Sequence, residues 1–233
     1  MPTVTAPDRP VDRLIRAAIW VVPVAAGLKP LGNAITLSNV GTGASPAAEA
    51  RLLATPGYLV GQLVGSLAAT VAGLFAALVL CGYLAATRYR RTVITAAVLS
   101  IVGVGFTLPA LGVITYAFPP LARAYLDGDH HAMNLVDATV GFPGGAMFYP
   151  GALVLVGAIL LSVVMWRSGA VPRVATVLYL ACGALISLPV VAHSLRLVGG
   201  MLGLGVGIWI ALVVRERLAR RAPPKTDTES SRA

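Results

Sequence analysis

Apolar residues in this chain come in long runs, and polar residues gather in the short stretches between them. The first run is Leu14 to Leu37, interrupted by Lys29 and Pro30. A polar, glycine-containing stretch follows from Ser38 to Pro56. The second run extends from Gly57 to Ala86 and ends at Arg88-Tyr89-Arg90-Arg91. The third, Thr92 to Phe118, is expected to stop at Pro119-Pro120, because a proline inside a helix removes a backbone donor. The fourth is Met147 to Trp166, closed by Arg167-Ser168-Gly169. Pro172 opens the fifth, where a first-turn proline costs nothing, and that run reaches Ala192. His193 to Arg196 reads as a tight turn, and the sixth run is Leu197 to Val214.

These runs have the ~17 to 25 residues that a spanning helix needs. In hydrocarbon the backbone must be satisfied within a helix or a closed barrel, and barrel strands alternate apolar with polar residues. No such alternation is present, so the predicted fold class is all-α, a polytopic membrane helix bundle with six transmembrane helices. The predicted spans are about 14-37, 57-86, 92-118, 147-166, 172-192 and 197-214. Residues 1-13 read as a cytoplasmic N-terminal segment, and 215-233 as a basic, disordered cytoplasmic tail.

Composition agrees: 57% of the 233 residues are hydrophobic, 12% are charged and mean hydropathy is +0.83. An ordinary soluble enzyme, a disordered chain and a secreted disulfide scaffold are excluded. The net charge of +9 does not point to nucleic acid, since no basic stripe is interleaved with aromatics. The cations instead orient the chain. Of 18 Lys and Arg residues, 14 fall on the side that holds both termini and the connectors at Arg88 and Arg167. Arg51, Arg123 and Arg196 fall on the other side, and Lys29 lies within a span. By the positive-inside rule N and C termini are cytoplasmic. The abundance of Arg over Lys, with many Ala and Gly, suggests a bacterial source, hence a bacterial plasma membrane. Arg13 and Arg16 before an apolar stretch, with Val24-Ala25-Ala26, resemble a signal peptide and its cleavage site. The apolar pattern resumes as Leu31 to Leu37, so retention of the first span is expected.

A few residues break the apolar rule. Lys29 is the ionisable group well inside a span; with Pro30, which frees a carbonyl, and Asn33 one turn on, it is a candidate ligand site. Lys29 also lies about 12 Å from the outer end of its span, within reach of a snorkelling stem. Asp129, His130, Asn134 and Asp137 have the residue types of a metal site, and a helix starting near Asp129 would align the last three on one face. The alternative for Asp129 is a helix N-cap. Gly61 and Gly65 in the second run, continued by Ala69 and Gly73, and Gly199, Gly203 and Gly207 in the last form small-residue stripes suited to helix packing. They could serve the monomer, a homodimer or a membrane-protein partner. Cys81 and Cys182 sit in apolar runs as small hydrophobes, and Trp166 and Trp209 as interfacial anchors. No nucleophile elbow, phosphate loop, carboxylate pair or standard zinc motif is present, so no cofactor and no catalytic residue is expected.

The polar loop after the first span, the long second span closed by Arg88 to Arg91, and the connector Trp166-Arg167-Ser168-Gly169-Ala170-Val171-Pro172-Arg173 carry a resemblance. The layout over roughly residues 12 to 216 resembles small six-span bacterial integral membrane proteins of unknown function. That resemblance implies no catalytic or binding residue. The function expected from the residues is a non-enzymatic accessory, sensory or structural membrane component whose partners are membrane lipids. Two other classes stay open: a passive transporter or channel for a small polar or anionic solute, and a lipid-modifying membrane enzyme.

Overall fold

A computed structural model describes residues 10–36, 45–140, 149–187 and 193–221, with side chains omitted for 33–36, 140, 186–187, 193–194, 196 and 221. Among these residues the fold is all helix, without a strand.

The first apolar run holds α1 (Pro10–Ala18) and α2 (Val21–Thr36), which a local irregularity at residues 19–20 separates within one helical stretch. Pro23 has no N–H to offer the carbonyl of Ile19. Val22 N–H donates to Ile19 O instead, at 3.1 Å, and the chain turns there. Lys29 and Pro30 do not interrupt α2, which passes through both to Thr36. The polar stretch after it holds a short helix, α3 (Pro46–Leu53), capped by Ser45 with Pro46 in its first turn. Thr55 and Pro56 repeat that device at the start of α4 (Pro56–Gln62), where Thr55 Oγ1 accepts from Tyr58 N–H at 3.1 Å. A π-helical segment, Leu63–Ala68, joins α4 to α5 (Ala69–Leu84), so one helix runs from 56 to 84.

Three sequence boundaries need correction. Helix α6 (Arg90–Leu126) continues through Pro119-Pro120 instead of stopping there. Its 37 residues make roughly 55 Å at 1.5 Å per residue, against a hydrocarbon core of ~30 Å. The overhang is held by burial: Phe118, Pro119 and Ala122 are buried, and the first and last of these join Ala50, Leu53, Tyr58, Met133 and Val136 in a small separate core. Packing on α3 and on α7 (Ala132–Val140) thus outweighs two missing donors. Second, α7 begins at Ala132, not near Asp129. Third, His193 to Arg196 is no turn but the first turn of α10 (His193–Arg221), which also extends seven residues past Val214. Between them lie α8 (Ala152–Ser168), ended by Gly169 at φ +61°, and α9 (Arg173–Ser187).

Five helices among the described residues are long and apolar enough to cross a membrane: Pro10–Gly32, Pro56–Leu84, Arg90–Leu126, Tyr149–Ser168 and Leu197–Arg220. Arg173–Leu185 is apolar but shorter, and residues 188–192, which include Pro189, lie outside the described chain.

The helices close into a ring. In order around it, α2 packs on α10, α10 on α9, α9 on α8, α8 on α6, α6 on α5, and α5 back on α2. Backbones approach closely where glycine permits. A Cβ on Gly32 would meet the backbone of Gly65 and lie 2.7 Å from Gly61 O. Pro30 and Pro23 of α2 fit against Gly200 and Gly207 of α10, at 2.7 and 2.9 Å from where a Cβ would stand. Between α6 and α8, a Cβ on Gly103 would stand 2.8 Å from Val154 N, and one on Gly157 would stand 3.0 Å from Ala96 O.

The main core is packed toward one end of the ring. Ile15, Ile19, Leu80, Leu84, Val93, Leu161, Met165, Val171, Ile210 and Leu218 are all buried there. This end lies toward the arginine-bearing connectors: Tyr83 in it donates through its hydroxyl to Ala170 O at 3.2 Å, and Arg217 donates to Gly169 O at 2.6 Å. Three arginine–aromatic stacks mark the same end: Arg88 on Tyr89, Arg173 on Trp166 and Arg215 on Trp20, at 4.9, 5.5 and 5.4 Å.

Candidate functional site

Beside this core the ring holds open space, and Val22, Ala76, Leu161 and Cys182 of the core also line it. One cavity of about 360 Å³ lies against Lys29, Thr70, Ser100, Thr107 and Gly151. A second of about 790 Å³ is walled by Val22, Leu155, Leu180, Cys182, Gly183 and Gly203. Both touch Ala25, Gly73, Gly151, Val154, Ala158 and Tyr179, so they are adjoining parts of one chamber. Helices α2, α5, α6, α8, α9 and α10 all contribute to its wall. The chamber meets the surface at Tyr149 and Ala152, both exposed, at the start of α8. Volumes of this size are those of small-molecule pockets.

The wall is mostly alkyl and glycine; Lys29, Thr70, Ser100 and Thr107 lie in the smaller part, and Tyr149 and Cys182 in the larger. Lys29 is its one charged residue among those described, and no Asp or Glu joins it there. Lys29 is half-buried and has a partner within the protein. The hydroxyls of Ser100 and Thr107 donate to their own helix, to Ala96 O and Gly103 O, each at 2.8 Å. Their oxygens keep accepting capacity and lie against Gly157 and Gly151. Helix α8 begins beside Gly151, so the positive end of its dipole also lies on this side.

Space in the chamber comes from missing side chains. A Cβ on Gly73 or on Gly183 would have nothing within 4 Å. Glycine inside a helix costs roughly 1 kcal/mol relative to alanine. At Gly32 or Gly157 close packing offsets that cost; at Gly73 and Gly183 no neighbour does, and the return is volume.

The residues singled out from sequence fall in several places. Lys29 lines the chamber, while the side chain of Asn33 lies outside the described residues. Gly61 and Gly65 close on Gly32, and Gly207 on Pro23. Gly203 faces the chamber, Gly199 is buried, and the second close approach to α2 is made by Gly200, one position off the stripe. These approaches lie within the monomer.

Asp129, His130, Asn134 and Asp137 are all exposed. With α7 starting at Ala132, His130 precedes the helix and does not share its face with Asn134 and Asp137. Asp129 Oδ1 accepts from His131 N–H at 3.0 Å, and the His130 ring meets Tyr125 edge-on, centroids 5.4 Å apart. No group of three His, Cys, Asp or Glu residues comes together among the described residues. Cys81 and Cys182 are buried free thiols, and Trp166 and Trp209 are partly exposed on the helix surface.

Ser100, Thr107, Tyr179 and Gly183 escaped the sequence reading. A signal existed for two of them: Ser100, Gly103 and Thr107 recur at helical spacing as small or polar residues within an apolar span. No protein-family model, characterised protein or solved structure matches the chain.

Proposed function

We propose that this chain is a six-span protein of a bacterial plasma membrane, with both termini cytoplasmic, working as a non-enzymatic ligand-binding component of sensory or accessory type. The carrying observation is the unequal filling of the ring: a packed core toward the arginine-bearing end and a chamber beside it. The charge asymmetry along the sequence turns the chamber's mouth outward. Such a cup binds without conducting. The non-enzymatic reading draws on a wall of alkyl groups whose Ser100 and Thr107 hydroxyls are bonded to backbone. Short contact of α2 with α4 and the π-segment through Gly32, and with α10 through Gly200 and Gly207, supports retention of the first span.

Passive transport is the second reading, favoured by Lys29 on the chamber wall. It requires the core around Leu80, Leu84 and Ile210 to open.

The test is cysteine labelling in cells, in a variant lacking Cys81 and Cys182, with a membrane-impermeant maleimide added outside. Thr107→Cys, on the chamber wall, should label and Leu80→Cys, in the core, should not. Reporters fused after Arg91, after Arg173 and at the C-terminus should read cytoplasmic, and one near Asp129 should read external. A cytoplasmic signal near Asp129 or labelling of Leu80→Cys alone would overturn the proposal. Labelling at both cysteine positions would favour the transporter.

A further inference from the structure

The chamber's two parts differ in chemistry, and that difference specifies a ligand. The smaller part carries Lys29 with Thr70, Ser100 and Thr107. The larger carries alkyl and glycine surface from Val22, Leu155, Leu180 and Gly183. Resting on the reading of the chain as a binding cup, we infer that the chamber takes a single-chain anionic amphiphile: a carboxylate or phosphate head toward Lys29, an alkyl chain in the larger part.

Sign and size both argue for this class. The charged lining among the described residues is cationic, and the start of α8 adds the positive end of a helix dipole. A methylene is about as large as a water, so at ~30 Å³ each the larger part takes roughly 26 such groups. One chain fits, while the two full-length chains of a bilayer phospholipid do not. The glycines at 73 and 183 hold that volume open without serving any helix contact.

The source of selectivity follows from the solvent. An alkyl chain arriving from lipid gains no hydrophobic free energy in an apolar chamber, because lipid tails are as apolar as the wall. Affinity therefore resides in the head, where low dielectric strengthens attraction to the ammonium. The chain acts as a gauge of length and bulk.

The experiment uses the full chain in nanodiscs of zwitterionic lipid, with dodecanoate, dodecyl phosphate, dodecanol and inorganic phosphate as probes. Both anionic amphiphiles should bind about tenfold or more tightly than dodecanol. Lys29→Arg should keep that preference and Lys29→Met should lose it. Gly183→Leu and Gly73→Leu should grow into open space, keep the protein folded, and weaken every dodecyl probe. Should Lys29→Met fail to fold, the headgroup series on the unaltered chain and the two glycine variants decide the matter. Preference for dodecanoate alone or dodecyl phosphate alone would place the ligand among fatty acids or among phosphorylated chains, within the inferred class. Equal binding of all three dodecyl probes, weakened by Gly183→Leu, would leave the cup standing and overturn the anionic class. Inorganic phosphate binding as tightly as dodecyl phosphate would overturn the amphiphile. No binding of any probe would overturn both this inference and the binding function beneath it.

Discussion

Replacing Gly32 with alanine tests the closest packing in the bundle. The added Cβ would lie 2.7 Å from Gly61 O and against the backbone of Gly65. Ordinary contact needs 3.4 Å or more, and no flexible side chain stands there to swing aside. Helix α2 must therefore move away from the π-segment, and a radial gap of even 0.5–1 Å forfeits roughly a quarter to a half of each dispersion contact along the seam. Overpacking of this kind costs about 1–3 kcal/mol, and an obstacle made of backbone puts Gly32 at the upper end. Alanine returns about 1 kcal/mol of helix propensity, so the expected net loss is about 2 kcal/mol. Gly105 is the control: it is exposed and its Cβ would meet nothing within 4 Å, so Gly105→Ala should be neutral or gain up to about 1 kcal/mol. Unfolding of the purified protein in mixed micelles, titrated with a denaturing detergent, measures both. If the two variants shift together, or Gly32→Ala matches the unaltered protein, the proposed contact between α2 and the π-segment is wrong.

Other substitutions probe the arginine-bearing end. Tyr83→Phe should lose about 1 kcal/mol by the same titration, because it strands the buried Ala170 carbonyl that the hydroxyl serves. Gly169→Ala should lose about 1–2 kcal/mol, since Gly169 ends α8 in the left-handed region at φ +61° where no neighbour obstructs a Cβ. Arg217→Met, which removes an exposed donor to Gly169 O, should lose under about 1 kcal/mol; a larger loss would mean that this contact organises the α8–α9 connector.

The sequence was most legible where one physical constraint acts alone. Unbroken apolar runs mark helices because hydrocarbon leaves the backbone no other partner, and the cores of α5, α6, α8 and α10 lie inside the predicted runs. Boundaries failed where packing competed with a local rule. Pro119-Pro120 should end a helix, yet Phe118 and Ala122 bury against residues some 60 positions earlier, which no local window contains. The break at residues 19–20 had a local cause, Pro23 four residues after Ile19, but an even apolar run hid it. The small-residue stripes mark the surfaces that approach, without saying which helix arrives; that Gly200 rather than Gly203 meets Pro30 depends on the rotation of α10. The π-segment left no recognisable trace. For the chamber, Lys29 was visible as a lone charge, whereas Gly73 and Gly183 matter for what they leave empty, and an absence has no sequence pattern until neighbours surround it.

One seam of the ring joins its earliest membrane helix to its latest. The partners of Pro23 and Pro30 are Gly207 and Gly200, so nearly the whole chain must be synthesised before α2 receives its second wall. Until then the nascent protein is an open trough, with Lys29 on a helix that lacks one flank. The compartment therefore closes only when α10 docks, and a chain halted before α10 would have helices but no such interior.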